Sequence, residues 1–212
     1  MTAEQPTVVL ATHNAKKLIE LRRVMAAAAP GVRVLGLADV AHYPEPAETE
    51  STFAGNAILK ATACTAATGL PALADDSGIE VDVLNRMPGV RSARWAGPEG
   101  DDAANNALLL RQLADVPDER RTARFRCAMA FVRPGAEPVV REGTMEGAVV
   151  TEPAGRGGFG YDPLFRPAGE TVTTAELSPE RKDQMSHRGK AVREIVPVVV
   201  EAMTGEHSEG QA

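Results

Sequence analysis

The sequence predicts an α/β fold in which one mixed β-sheet is flanked by helices. Three observations predict it. A β-rich apolar run at residues 7–12 (TVVLAT) is followed by apolar residues at helical spacing and then by a second run at 32–37, which is βαβ order. Residues 121–133 alternate, with Ala123, Phe125, Cys127, Met129 and Phe131 on one side, and 139–150 follow as an antiparallel partner. The 212 residues carry neither an internal repeat nor a low-complexity linker. One continuous domain over 7–203 is therefore expected, with two lobes around a cleft and flexible polar tails at 1–6 and 204–212.

The elements follow in order. Asn14 reads as the cap of a first helix, with Leu18, Leu21 and Met25 on its apolar stripe and Pro30-Gly31 at its end. A Pro- and Glu-rich loop at 43–51 leads to Thr52, which caps an Ala-rich helix to about Thr68, where Gly69 stops it. Residues 70–74 read as a strand ending on Asp75-Asp76-Ser77-Gly78. Residues 79–84 read as a further strand or turn, and 86–89 as a loop. Asp101 caps a helix to about Leu113, and Pro134-Gly135 turns the long alternating strand. Ser178-Pro179 opens a short helix, and Ser186 begins a last helix that Pro197 is expected to interrupt.

Composition limits the function classes. Apolar residues make up 43% of the chain, too many for a disordered one. The net charge of −6 argues against nucleic acid or an anionic membrane as partner. The two cysteines, Cys64 and Cys127, form no CxxC or Cys/His cluster, so a zinc site is not expected and a reducing cytoplasm fits. The first residues lack the layout of a signal peptide, and the longest apolar stretches are too short to cross a bilayer.

Four motifs can carry chemistry. Thr12-His13-Asn14-Ala15-Lys16-Lys17 lies where a strand ends and a helix begins; free N–H groups, the dipole and two lysines suit a polyphosphate. An ordinary capped helix with a Lys16–Glu20 surface pair would read the same way. Ala74-Asp75-Asp76-Ser77-Gly78 places two carboxylates at a strand end, where one could hold a hard cation or orient water, or both could form an acidic turn. Gly157-Gly158-Phe159-Gly160-Tyr161-Asp162-Pro163 allows close backbone approach and offers flat faces for a base. Three of the eight aromatics, Phe159, Tyr161 and Phe165, fall within the short segment 159–165, and Pro163 rules out a dinucleotide fingerprint. Lys182 and Ser186-His187-Arg188-Gly189-Lys190 supply donors for a carbonyl or a phosphate, or a solvated basic helix end. Charge is segregated: residues 14–23 hold four bases and one acid, 45–50 three acids, and 75–82 four acids.

Taken together and in order, TxNxxKxxE, NAxxKA (Asn56, Ala57, Lys60, Ala61), ADDSG, PGVRSARW, GGFGYDP and SHRGKA resemble the inosine triphosphate pyrophosphatase family from about Val8 to Val200. Within it they are most similar to the bacterial branch that removes non-canonical purine nucleotides. The resemblance implies Mg²⁺-dependent hydrolysis of purine nucleoside triphosphates such as dITP, ITP and XTP to monophosphate plus pyrophosphate. It also implies a homodimer and an elongated mixed sheet with the active-site cleft between two lobes. Carried over by position, Asp76 is the catalytic acid/base residue and a magnesium ligand. Thr12, His13, Asn14, Ala15, Lys16 and Lys17 match the phosphate-binding motif, and Ser77 the next substrate contact. Phe159, Gly160, Tyr161 and Asp162 match the base site, and Lys182, His187 and Arg188 the remaining substrate contacts. The chain departs from the pattern at His13 (usually Gly), Glu50 (usually Gly) and Gly55 (usually Glu). Glu45 is the expected second magnesium ligand and Glu48 the alternative.

Overall fold

The computed structural model describes residues 5–13, 15–98 and 100–205; the side chains of Lys16, Glu20, Leu21, Ala28 and Thr204 are not among those described. The expected cap Asn14 and most of both expected tails lie outside the described residues. The elements are β1 (Thr7–Leu10), α1 (Ala15–Ala28), β2 (Arg33–Gly36), α2 (Phe53–Thr68), β3 (Ala72–Val81), β4 (Met87–Pro88), α3 (Asp102–Gln112), β5 (Thr122–Val132), β6 (Val139–Val149), β7 (Phe165–Pro167), α4 (Pro179–Met185) and α5 (His187–Thr204).

The strands form one seven-stranded sheet in the order β2-β1-β3-β5-β6-β7, with β4 paired to β3. β1 runs parallel to β2 and β3, the βαβ part, whereas β4 and β7 pair antiparallel with β3 and β6. The sheet is therefore mixed, as expected. Among the described residues, no helix is long and apolar enough to cross a membrane.

The chain divides into two compact units. The first comprises Met1–Asp76, Ala128–Glu142 and Lys190–Ala212, and the second Ser77–Cys127 and Gly143–Gly189. In the first unit Val8, Val9, Leu10, Leu73, Met129 and Phe131 of the strands are buried, as are Ala57, Ala61 and Cys64 of α2 and Ile195 and Val199 of α5. The second has a core of Ile79, Val81, Leu109, Leu113, Phe125, Met145, Val149, Tyr161, Leu164 and Phe165.

Local chemistry sets the element ends. Thr52 Oγ1 accepts from the Gly55 N–H at 3.0 Å, and Gly69 closes α2 with φ +70°. Asp101 accepts from Ala103 and Ala104 at the start of α3, and Ser178 from Arg181 at the start of α4. Arg121 is buried and donates to the carbonyls of Val116, Leu113 and Val150, so one guanidinium satisfies three backbone acceptors. Arg121→Ala is expected to lower unfolding free energy by about 3 kcal/mol through those orphaned carbonyls. A urea midpoint equal to that of the natural chain would contradict this.

Three expectations are corrected. The strand does not end at Asp75; β3 continues through the Asp-Asp-Ser-Gly stretch to Val81. Charged partners make this possible, as described below, and Ser92 Oγ takes the Ile79 N–H at 2.9 Å. Gly78 is required there, because a Cβ would collide with Ser92 Oγ and the Gly89 carbonyl. The expected loop at 86–89 contains β4. Nor does Pro197 interrupt the last helix. Proline removes one helical hydrogen bond, but the buried stripe of Val192, Ile195, Val196 and Val199 holds the axis on both sides of it.

Candidate active site

In the first unit, the charged residues gather on α2, β3 and the loop before α2. The buried stripe of α2 is Phe53, Asn56, Ala57, Lys60, Ala61 and Cys64, with Thr65 buried at its end. That is helical spacing, with one amide and one ammonium amid apolar positions, while the Thr65 hydroxyl bonds the Val132 carbonyl. Asn56 is fully buried: its Oδ1 accepts from the Glu50 N–H and its Nδ2 donates to Asp76 Oδ2, both at 3.0 Å. Lys60 Nζ lies 3.0 Å from Glu48 Oε1 and 3.4 Å from Asp76 Oδ1. One buried ammonium thus serves two carboxylates. On the neighbouring position of β3, Asp75 Oδ2 lies 3.0 Å from Lys17 Nζ, which comes from the first turn of α1. Side chains alternate along a strand, so Asp75 turns to α1 and Asp76 to α2.

Protonation follows from this layout. Burial pushes the Asp76 carboxyl above the usual carboxylate range, and the nearby Glu48 charge pushes the same way against Lys60, Asn56 and Lys17. Burial opposes the charge on Lys60, but Asp76, Asp75 and Glu48 outweigh it and hold the ammonium protonated. Three acids (Glu48, Asp75, Asp76) against two lysines (Lys17, Lys60) leave an excess negative charge in a largely buried place.

His13 is exposed, with Nε2 3.4 Å from Glu45 Oε2. Glu45 therefore sits on His13, whereas Glu48 shares an ammonium with Asp76. Thr12 is half-buried, Ala15 opens α1, and Asn14 and the Lys16 side chain lie outside the described residues. The departures at positions 50 and 55 are sterically linked: a Cβ on Gly55 would lie 2.7 Å from Glu50 Cβ.

The second unit holds the other set. Ser77 Oγ accepts from Arg188 at 3.0 Å. Phe159 is half-buried, and its ring has Lys182 Nζ at 5.1 Å and the Arg188 guanidinium carbon at 5.4 Å from its centroid. Asp162 is buried and accepts from the Phe159 N–H at 2.8 Å, from Lys182 Nζ at 2.7 Å and from Thr174 Oγ1 at 2.9 Å. It fixes an aromatic face and a cation at once. Tyr161 is buried and its hydroxyl donates to the Ser92 carbonyl at 2.8 Å. Burial, helped by the Asp102 charge, raises its phenol. His187 is buried and stacks on Phe125, centroids 4.8 Å apart. Of the expected aromatic faces, Phe159 is thus the partly open one.

Asn56 and Lys60 were not among the expected site residues. Their signal was present: polar groups four apart on a stripe otherwise apolar. Among the described residues no three His, Cys, Asp or Glu side chains cluster as a closed metal cage.

Carboxylates beside lysines are donors of the kind that hold a hard cation, and an aromatic face flanked by cations is suited to a flat ring. The chain belongs to the Ham1 family, whose pattern matches residues 8–198. It is 55% identical to a dITP/XTP pyrophosphatase of Cutibacterium acnes, covering 93% of this chain and 98% of that protein. It is 57% identical to one of Nocardia farcinica, covering 91% and 94%. Among solved structures, a nucleoside-triphosphatase / dITP/XTP pyrophosphatase from Mycobacterium abscessus matches with TM-score 0.75 and 52% identity over 90% of this chain and 99% of the other. The Ham1 protein of Staphylococcus aureus matches with TM-score 0.83 and 36% identity over 92% and 99%. The family expected from the six motifs is borne out.

Proposed function

We propose that the chain hydrolyses non-canonical purine nucleoside triphosphates (dITP, ITP, XTP) to the monophosphate and pyrophosphate, as a cytoplasmic homodimer. The observation that carries the reading is Asp76: a buried carboxylate of raised pKa, held by Asn56 and Lys60 and followed directly by Ser77. The dITP/XTP pyrophosphatases to which the chain is similar support it.

The residues fit a magnesium ion. Mg²⁺ takes oxygen donors and commonly binds through one or two carboxylates, with waters and phosphate oxygens completing its shell, so no closed cage is needed. Asp76 and Glu48 converge on one ammonium within an acidic surplus, and they are the pair proposed to hold it. Glu45, occupied with His13, is the less suited of the two loop candidates. When bound, Mg²⁺ neutralises phosphate charge and lowers the pKa of its water.

The chain's own groups do the rest. Lys17 and Lys60 bring positive charge to the triphosphate. Asp76 orients the attacking water and takes its proton as the water oxygen bonds the α-phosphorus and the bond to the pyrophosphate oxygen breaks. A raised pKa suits a base that must return that proton near neutral pH. Phe159 stacks on the purine. His187 and Arg188 donate toward a 6-keto oxygen, where adenine would present an amino donor and leave a polar group unpartnered.

A panel of dITP, XTP, dGTP, dATP and modified pyrimidine triphosphates, with pyrophosphate detection, tests the reading. Preference for dITP and XTP is expected. Preference for a modified pyrimidine, or tight binding without release of pyrophosphate, would replace it.

A pH signature follows as well. Folded Asp76 holds its proton more tightly than the unfolded chain does. Unfolding therefore releases a proton, and metal-free stability should fall as pH rises from the ordinary carboxylate range through the raised Asp76 range. Thermal melts in chelator across pH should show this limb, and added Mg²⁺ should remove it. A melting temperature flat with pH in natural protein would contradict the sign.

A further inference from the structure

Gly160 lies in the Phe159–Asp162 turn with φ +60°. Nothing lies within 4 Å of where its Cβ would be, so crowding does not impose glycine there. A glycine alone populates positive and negative φ about equally. The turn's own bond, from the Asp162 N–H to the Phe159 carbonyl at 3.3 Å, spans Gly160, and two side chains of α3 clamp the same residue. The Gly160 N–H donates to Asp102 Oδ2 at 2.7 Å, and its carbonyl accepts from Asn106 Nδ2 at 3.0 Å. Asp102 and Asn106 are one helical turn apart, so both face the same peptide groups.

The neighbouring bonds reach the same turn. Asn105, beside Asn106, accepts from the Ala96 N–H at 2.7 Å and donates to the Ala93 carbonyl at 3.1 Å. Tyr161, beside Gly160, donates to the Ser92 carbonyl. α3 thus holds the 93–96 segment and the Gly160 turn together. Asn106 Oδ1 is buried without a hydrogen-bond partner, so the fold carries a desolvation cost that accompanies the Nδ2 contact to Gly160. Phe159, whose ring is the partly open aromatic face, is the residue whose direction this peptide sets.

We infer that Asp102 and Asn106 are positioning residues that set nucleobase discrimination by locking the Gly160 peptide in its left-handed state. The inference rests on the proposed function, because it takes the 159–162 turn to be the purine-binding element. Neither residue need touch the nucleotide. Asp102 is exposed at the start of α3, so its truncation does not threaten the core.

The test measures kcat and KM for dITP and dGTP with Mg²⁺ in the natural chain, Asp102→Ala, Asn106→Ala and Asp102→Asn. Asp102→Ala and Asn106→Ala should each raise KM for dITP about tenfold, the worth of one well-made hydrogen bond. The preference for dITP over dGTP should fall, with kcat at saturation changed by no more than about twofold. Asp102→Asn keeps an acceptor for the Gly160 N–H and should restore most of KM and preference. A merely structural role would lower kcat for every nucleotide alike and leave the ratio unmoved; that result overturns the inference. So does unchanged KM in Asp102→Ala. Failure of the natural chain to hydrolyse any purine triphosphate would instead overturn the proposed function, and the inference with it.

Discussion

Replacing Asp76 by Asn is expected to leave the fold intact and to reduce dITP turnover roughly 10²–10⁴-fold, the range of a positioned acid/base group. The variant keeps the volume and can still accept from Asn56. It loses the negative charge that burial and Glu48 already oppose. Metal-free Asp76→Asn should therefore melt no lower than the natural chain, and its stability should lose the dependence on rising pH. Circular dichroism melts and initial rates check both halves. A folded variant with near-natural turnover would remove Asp76 from the chemistry.

Lys60→Met should have the largest effect on stability. It keeps the length of the side chain and removes the ammonium from between Glu48 and Asp76, whose partner it is on a side chain only 9% exposed. Breaking a buried pair by deleting one partner typically costs about 3–5 kcal/mol, because the remaining charge has no counterion. The loss should be relieved at low pH, where Asp76 takes up a proton, by Glu48→Gln in the same chain, and by Mg²⁺. Denaturant melts of the single and double variants measure this. If Lys60→Met were as stable as the natural chain at neutral pH without metal, the shared-ammonium account would not stand.

Much of the fold was legible because its signals are local. Thr52 and Gly69 bracket α2, Asp101 caps α3, and the alternation at 121–133 marks β5. The continuity of β3 was not legible, because Asp-Asp-Ser-Gly is poor strand material by itself. Its partners, Lys17, Asn56, Lys60 and Ser92, are distant in sequence. The helical passage through Pro197 likewise depends on packing to either side. In the candidate site the same division holds. Asp76, Phe159, Asp162, Lys182 and Arg188 stand in motifs. Asn56 and Lys60 stand in the NAxxKA motif and as polar exceptions on a mostly apolar stripe, but neither signal assigned them a role. Asp102 and Asn106 looked like ordinary residues of a capped helix, since nothing local ties them to Gly160. The choice between Glu45 and Glu48 fell in a loop without periodicity, and the proposal of Glu48 rests on its shared partner Lys60.

The most direct test of the central claim is the product of dITP hydrolysis by the natural chain with Mg²⁺, followed by phosphorus NMR. dIMP and pyrophosphate are expected in equal amounts, with no orthophosphate, and loss of both when Mg²⁺ is chelated. Orthophosphate and dIDP would place the cleaved bond elsewhere and contradict it.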